Sequence, residues 1–70
     1  MNKESIEVLI KKTRAAISFF DALAGECEEA QSNGSQYSMI GSLVWSAKMA
    51  KDNASECLDY LKGYKEEAEE

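Results

Sequence analysis

Two cysteines and thirteen carboxylates are the side chains of this sequence best suited to chemistry. The chain has no histidine, the usual carrier of protons near neutral pH. Cys27 and Cys57 fall at apolar-periodic positions, where the thiol is favoured over the reactive thiolate. The carboxylates spread along predicted helix surfaces and form no cleft. We therefore predict that the protein is not an enzyme, with no catalytic residue and no cofactor.

Metal ligands and disulfides are not expected either. Two isolated cysteines without histidine do not make a zinc site, and no cluster of carboxylates on a loop suits a hard cation. The first residues show no signal-peptide pattern, so we expect reduced thiols and a cytoplasmic location.

Composition narrows the range of partners. The chain has 70 residues, 44% of them hydrophobic, with no proline and a net charge of −5. This length predicts one small domain, residues 1–70. Net negative charge argues against direct nucleic-acid binding. Because no apolar run approaches about 18 residues, no membrane span is expected.

Apolar residues recur at steps of three and four in both halves of the chain, which predicts two helices. Helix 1 is expected at about 4–31, with Asn2 or Ser5 as its N-cap, and helix 2 at about 36–66. The segment 32–35 contains Asn33-Gly34 and predicts a turn, with Ser35 as the second N-cap. The acidic tail 67–70 is expected to fray. The expected seam residues are Ile6, Leu9, Thr13, Ala16, Phe20, Leu23, Cys27 and Ala30, facing Ile40, Leu43, Ala47, Ala50, Ala54, Cys57, Leu61, Tyr64 and Ala68.

A short turn between long helices predicts an all-α fold, an antiparallel two-helix hairpin. A turn centred near residue 33 would place Phe20 opposite Ala47 and Leu23 opposite Val44. Both thiols would then be buried and far apart.

The apolar surface of each helix is wider than one neighbour can cover, so we expect a partner or a second copy to complete a four-helix bundle. Trp45 falls in an otherwise acidic column; it is either an exposed contact or a cover for the bundle end after a local register shift. The predicted partner-binding residues are Ile10, Ile17, Phe19, Met39, Val44, Trp45, Met49, Leu58 and Tyr60.

The pattern Ala22-Leu23-Ala24, Glu26-Cys27, Asn33-Gly34 and Gln36-Tyr37 resembles the small co-chaperones of type III secretion needle subunits, over residues 22–61. Members of that family are helical hairpins that pair with a tetratricopeptide-like chaperone and keep the needle subunit monomeric in the cytosol. The resemblance implies a similar role here, with the excess apolar surface docked on a helical-repeat partner. It supplies no functional motif to transfer residue by residue, and Trp45 departs from the pattern.

The favoured function is thus a protein–protein interaction module, a co-chaperone or assembly adaptor of a secretion system. Two alternatives stay open. The acidic balance suits a phage-type inhibitor of a host nucleic-acid enzyme, which would bind its target with strong salt dependence. The wide apolar surface also suits a structural homodimer.

Overall fold

Two long helices make up the structure, a computed structural model that describes residues 2–34 and 39–69. Helix α1 spans Lys3–Ser32 and helix α2 spans Ile40–Glu69. They pack against each other along their length as a hairpin measuring 53 × 14 × 13 Å between Cα atoms. The predicted all-α helical hairpin is confirmed, and there is no strand within the described ranges.

Local chemistry explains where α1 begins and ends. Asn2 is extended and its side chain accepts a 2.8 Å hydrogen bond from the Ser5 backbone N–H, so Asn2 is the N-cap. At the other end the Asn33 N–H donates to the Glu29 carbonyl at 2.9 Å. Gly34 follows with φ of +78°, a conformation that glycine adopts without steric cost.

The second helix begins later and ends later than the sequence analysis placed it. It starts at Ile40 rather than near residue 36, and it extends to Glu69 rather than 66. The Leu43 N–H donates to the Met39 carbonyl at 3.0 Å, which closes its first turn. The Ser35 cap and the Gln36-Tyr37 pair lie outside the described residues.

The seam between the helices is rotated by one column from the predicted seam. Ile10 is 7% exposed while its neighbour Leu9 is 38% exposed; Val44 is 9% exposed while Leu43 is 44% exposed. The prediction that Leu9 and Leu43 are seam residues was therefore wrong. Cys57 and Tyr64 are exposed as well. The buried side chains are Ile6, Ile10, Ala24, Cys27, Val44 and Ala47.

Adjacent apolar columns made this rotation possible. Leu9 and Ile10, or Leu43 and Val44, offer similar hydrophobic burial, so hydrophobicity alone does not choose between them. The observed choice sets acidic residues of α1 beside lysines of α2 across the seam. Small residues at Ala24 and Ala47 let the two backbones approach closely.

The helices are also displaced lengthwise from the predicted register. Asp21 contacts Lys51, whereas the predicted pairing of Phe20 with Ala47 would have set Asp21 level with Ser46. Glu7 lies near Lys65 in the same register. The physical reason is the connection: because α2 begins at Ile40, the chain between the helices is longer than a four-residue turn.

Candidate protein-interaction surfaces

One side of the hairpin is closed by charge pairs, and we call it the ion-paired face. Its members are Glu7, Asp21 and Glu28 of α1 and Lys48, Lys51 and Lys65 of α2. Nitrogen–oxygen distances are 2.7 Å for Lys51–Asp21, 2.6 Å for Lys48–Glu28 and 3.8 Å for Lys65–Glu7. The pairs are solvent-exposed, so each contributes little stability, and they show which residues of the two helices lie near each other on this side.

Lys51 is the most strongly held of these lysines. Its ammonium donates a hydrogen bond to Asp21 Oδ1, and this bond, with the Asp21 charge, raises the pKa of Lys51 above 10.5. Asp52 adds a smaller effect in the same direction, and partial desolvation opposes it. Lys51 is therefore charged at neutral pH.

The opposite side of the hairpin carries apolar side chains that are exposed or only half-buried, and we call it the open face. Residues three or four apart lie on the same side of a helix. On each helix the residues of the open face occupy the two columns that lie farthest from the ion pairs. Ile6 and Tyr64 line one shallow groove there, and Met39, Ile40 and Leu43 line another. The open-face residues are Leu9, Ala16, Phe19, Leu23 and Ala30 of α1 and Met39, Leu43, Ala50, Cys57, Tyr60 and Tyr64 of α2.

Phe19 is the largest exposed side chain at the middle of the open face. It is 64% exposed, and its ring lies edge-on to Phe20, with centroids 5.6 Å apart and an interplanar angle of 75°. Phe20 is half-buried at the seam, and its contact with the Phe19 ring restricts the orientations open to Phe19. A side chain already held in place loses less conformational entropy when it docks.

Trp45 lies on a different surface. It is 65% exposed on the outer side of α2, one turn from exposed Met49. Its column also contains Asp52, and it borders the ion-paired face through Lys48 rather than the open face. The sequence allowed Trp45 to be either an exposed contact or a cover for the bundle end, and in the structure its side chain is exposed.

The hairpin itself covers four of the nine predicted partner-binding residues. Ile10 and Val44 are buried at the seam, and Ile17 and Leu58 are half-buried there. The expectation that one neighbouring helix would leave these four side chains uncovered was wrong, because the seam is rotated toward the columns that contain them. The five that remain exposed are Phe19, Met39, Trp45, Met49 and Tyr60.

Sequence reasoning missed four exposed residues of the open face because it assigned them to the seam. These residues are Leu9, Leu43, Cys57 and Tyr64. The signal that could have found them was electrostatic. Acids at Glu7, Asp21 and Glu28 recur every seven or fourteen residues on one flank of α1, and lysines of α2 supply their partners.

The two thiols differ in environment. Cys27 is buried, as predicted, whereas the prediction that Cys57 is buried was wrong, because its column turned outward with the open face. Both thiols are free. No group of three or more potential metal ligands occurs within residues 2–34 and 39–69. In that same part of the chain, neither helix combines the length and hydrophobicity needed to cross a bilayer.

Comparison with protein-family models, with curated proteins and with solved structures gave no match to this chain.

Proposed function

We propose that this protein is a non-enzymatic protein–protein interaction module that works through its open face. The observation that carries the proposal is the contrast between the two sides of the hairpin. Ion pairs close one side, while Phe19, Leu43 and Tyr64 are exposed at intervals along the length of the other. Single exposed apolar residues are ordinary, but several large ones repeated along one side of a small hairpin mark a surface that another protein covers.

The small number of side chains buried at the seam supports the proposal that a partner binds this protein. Among the described residues six apolar side chains are buried, and two of them are alanines. A domain of this size buries about 60% of its unfolded surface and has little stability to spare. Binding another chain stabilises such a fold by mass action.

The more specific role we propose is that of a co-chaperone or assembly adaptor of a secretion system. Its support is the sequence resemblance over residues 22–61 together with the hairpin form of the chain. In this role the open face lies on a helical surface of the partner.

Trp45 and Met49 supply a second contact surface. They project on the far side of α2 from the open face, so they remain accessible when the open face is covered. Tryptophan is enriched among residues that dominate binding energy. An adaptor needs two such surfaces, one for each of the proteins it joins.

The acidic-inhibitor alternative has less support. Glu28, one of the acids on which this alternative depends, is already paired with Lys48 of α2. A basic target would have to compete with this intramolecular pair. Acids in the column of Trp45, such as Asp52 and Asp59, would still be available to it.

Site-specific photo-crosslinking in cells tests the proposed function. A photoreactive phenylalanine analogue replaces Phe19 on the open face or, as the matched control, Val8 on the outer side of α1; both positions are exposed. We expect the Phe19 position to give one discrete adduct, identified by mass spectrometry, that the Val8 position does not give. The adduct should disappear when unlabelled wild-type protein competes and persist when a Leu23→Glu variant does.

Adducts that are equally abundant and equally diverse at both positions would contradict the proposal. They would show that the open face meets proteins only at random.

A further inference from the structure

We propose that the partner on the open face is a second copy of this chain, in an antiparallel four-helix bundle whose two-fold axis passes beside Phe19. The inference rests on the proposed function, because it names the occupant of the same face. In this arrangement α1 packs against α1 of the second copy and runs in the opposite direction. The two ion-paired faces point outward.

The exposed area is of the size that such an interface buries. The chain exposes 5358 Å² of solvent-accessible surface. A compact monomer of 7.8 kDa is expected to expose about 4,400 Å² from the scaling of surface with mass. The excess of about 1,000 Å² reflects the 53 × 14 × 13 Å rod shape of a hairpin without a second layer of helices, and it is of the same order as the roughly 800 Å² that each partner buries in a stable complex.

Charges on the rim of the open face are arranged for self-pairing. The column of α1 that contains Phe19 reads Ser5, Lys12, Phe19, Glu26 and Asn33. Lys12 and Glu26 lie at equal distances on either side of Phe19 and carry opposite charges. A two-fold axis at Phe19 therefore sets Lys12 opposite Glu26 of the second copy, and it does so twice.

Within one chain these two charges cannot meet. Lys12 and Glu26 are about 21 Å apart along α1 at 1.5 Å per residue. Neither belongs to the ion pairs across the seam described above. Their complementarity is therefore realised between chains.

Side-chain sizes follow the same symmetry. The adjoining open-face column of α1 alternates large and small residues, Leu9, Ala16, Leu23 and Ala30. The axis at Phe19 brings Leu9 level with Ala30 of the second copy, and Ala16 level with Leu23 of the second copy. Large side chains thus meet small ones, as interdigitated packing requires.

The second helix also meets its own copy favourably. Because Asp21 pairs with Lys51, Asn53 lies level with Phe19 and therefore at the axis. Its amide is both donor and acceptor, so two symmetry-related Asn53 side chains can hydrogen-bond to each other. The same axis sets the small residues Ala50 and Cys57 of the two copies level with one another.

The other two-fold arrangement, with the axis parallel to the helices, lacks this complementarity. It sets α1 beside α2 of the second copy at equal levels, which places Phe19 against Asn53 and Lys12 against Tyr60. Glu26 then faces Ser46. No opposite charges meet, so the antiparallel arrangement about Phe19 is favoured.

Exchanging the charges of Lys12 and Glu26 tests the proposal, with the dissociation constant of the dimer measured by sedimentation velocity across a dilution series. We expect the wild-type chain to be a dimer. Lys12→Glu and Glu26→Lys should each raise the dissociation constant about tenfold, because each creates two like-charge contacts. The double variant should return to within about threefold of wild type. Lys11→Glu, the control, makes the same charge change on the other side of α1 and should have little effect.

The Glu26→Lys result is the most discriminating, because this substitution lowers the net negative charge and so reduces general repulsion between copies. A Phe19→Glu variant provides a second measurement: it should abolish the dimer and keep the helical circular dichroism, since Phe19 is exposed in the hairpin.

Different results would overturn the antiparallel dimer and the proposed interaction module. A wild-type chain that is monomeric at all concentrations, or a dimer that ignores the charge exchange, would overturn the antiparallel pairing. If Phe19 then crosslinks to one identified protein of another sequence, the interaction module stands with a different occupant. If it crosslinks to nothing specific, both are overturned.

Discussion

Lys51 of α2 donates a 2.7 Å hydrogen bond to Asp21 of α1, and this pair shows which residues of the two helices lie level. It belongs to a row of three acid–lysine contacts on one side of the hairpin. The other side has apolar residues in the corresponding columns. The side of the hairpin that is available to a partner is therefore the side opposite the ion pairs.

Charge reversal tests the Asp21–Lys51 pair. Lys51→Asp alone should lower Tm by a few degrees, because it sets two carboxylates side by side. The combined Asp21→Lys and Lys51→Asp variant should recover most of the loss. Thermal unfolding followed by circular dichroism at one fixed protein concentration measures both. A double variant no more stable than the single one would contradict direct pairing.

The same pair predicts a dependence on alkaline pH. Because folding raises the pKa of Lys51 above 10.5, its contribution is fully present below that pH and is lost as pH rises through the raised value. The Tm difference between wild type and Lys51→Met should therefore be constant from neutral pH to about pH 10 and shrink above it. Lys51→Arg is the control and should keep its stability, since arginine stays charged. A difference that does not change with pH would argue that the Lys51 charge is not involved.

Ala47→Leu tests the rotated seam. Ala47 is 3% exposed between the helices, so a larger side chain must separate them, at a cost of about 1–3 kcal/mol in the free energy of unfolding. Ala22→Leu makes the same change at an exposed position of α1 and should be nearly neutral. Urea unfolding measures both. Equal effects at the two positions would mean that Ala47 is not enclosed by the seam.

Two glycine substitutions should have opposite effects. Gly34 has φ of +78°, so Gly34→Ala should destabilise the protein by about 1 kcal/mol. Gly63 is helical and a Cβ there meets nothing within 4 Å, so Gly63→Ala should stabilise by about 0.5–1 kcal/mol. Chemical denaturation of each variant gives the sign. A stabilised Gly34→Ala protein would show that the left-handed conformation is not needed at the end of α1.

Thiol labelling followed by peptide mass spectrometry should separate the two cysteines. Cys27 is buried at the seam and should react only after unfolding, whereas Cys57 is exposed and should react in the folded hairpin. If two copies pair through the open face, labelling of Cys57 should slow as protein concentration rises, with no change at Cys27. Rapid labelling of Cys27 under native conditions would contradict the described seam.

The sequence by itself was sufficient for the two helices and for their antiparallel arrangement. Steps of three and four between apolar residues require helical backbone, and Asn33-Gly34 supplies residues that end a helix. Asn2 was also identifiable as an N-cap, because its side chain has the acceptor that the first turn lacks. These features depend on neighbours within a few residues, which is the range over which a sequence pattern is informative.

Only the tertiary structure decided which apolar column faces inward and how far the helices are displaced. Leu9 and Ile10 are equally suited to burial by hydrophobicity, and so are Leu43 and Val44. The choice depends on contacts between residues distant in sequence, such as Asp21 with Lys51, and on a connection whose length local patterns did not define. A rotation of one column costs little in hydrophobic burial, but it moves Leu9, Leu43 and Tyr64 from the seam to the surface that a partner meets.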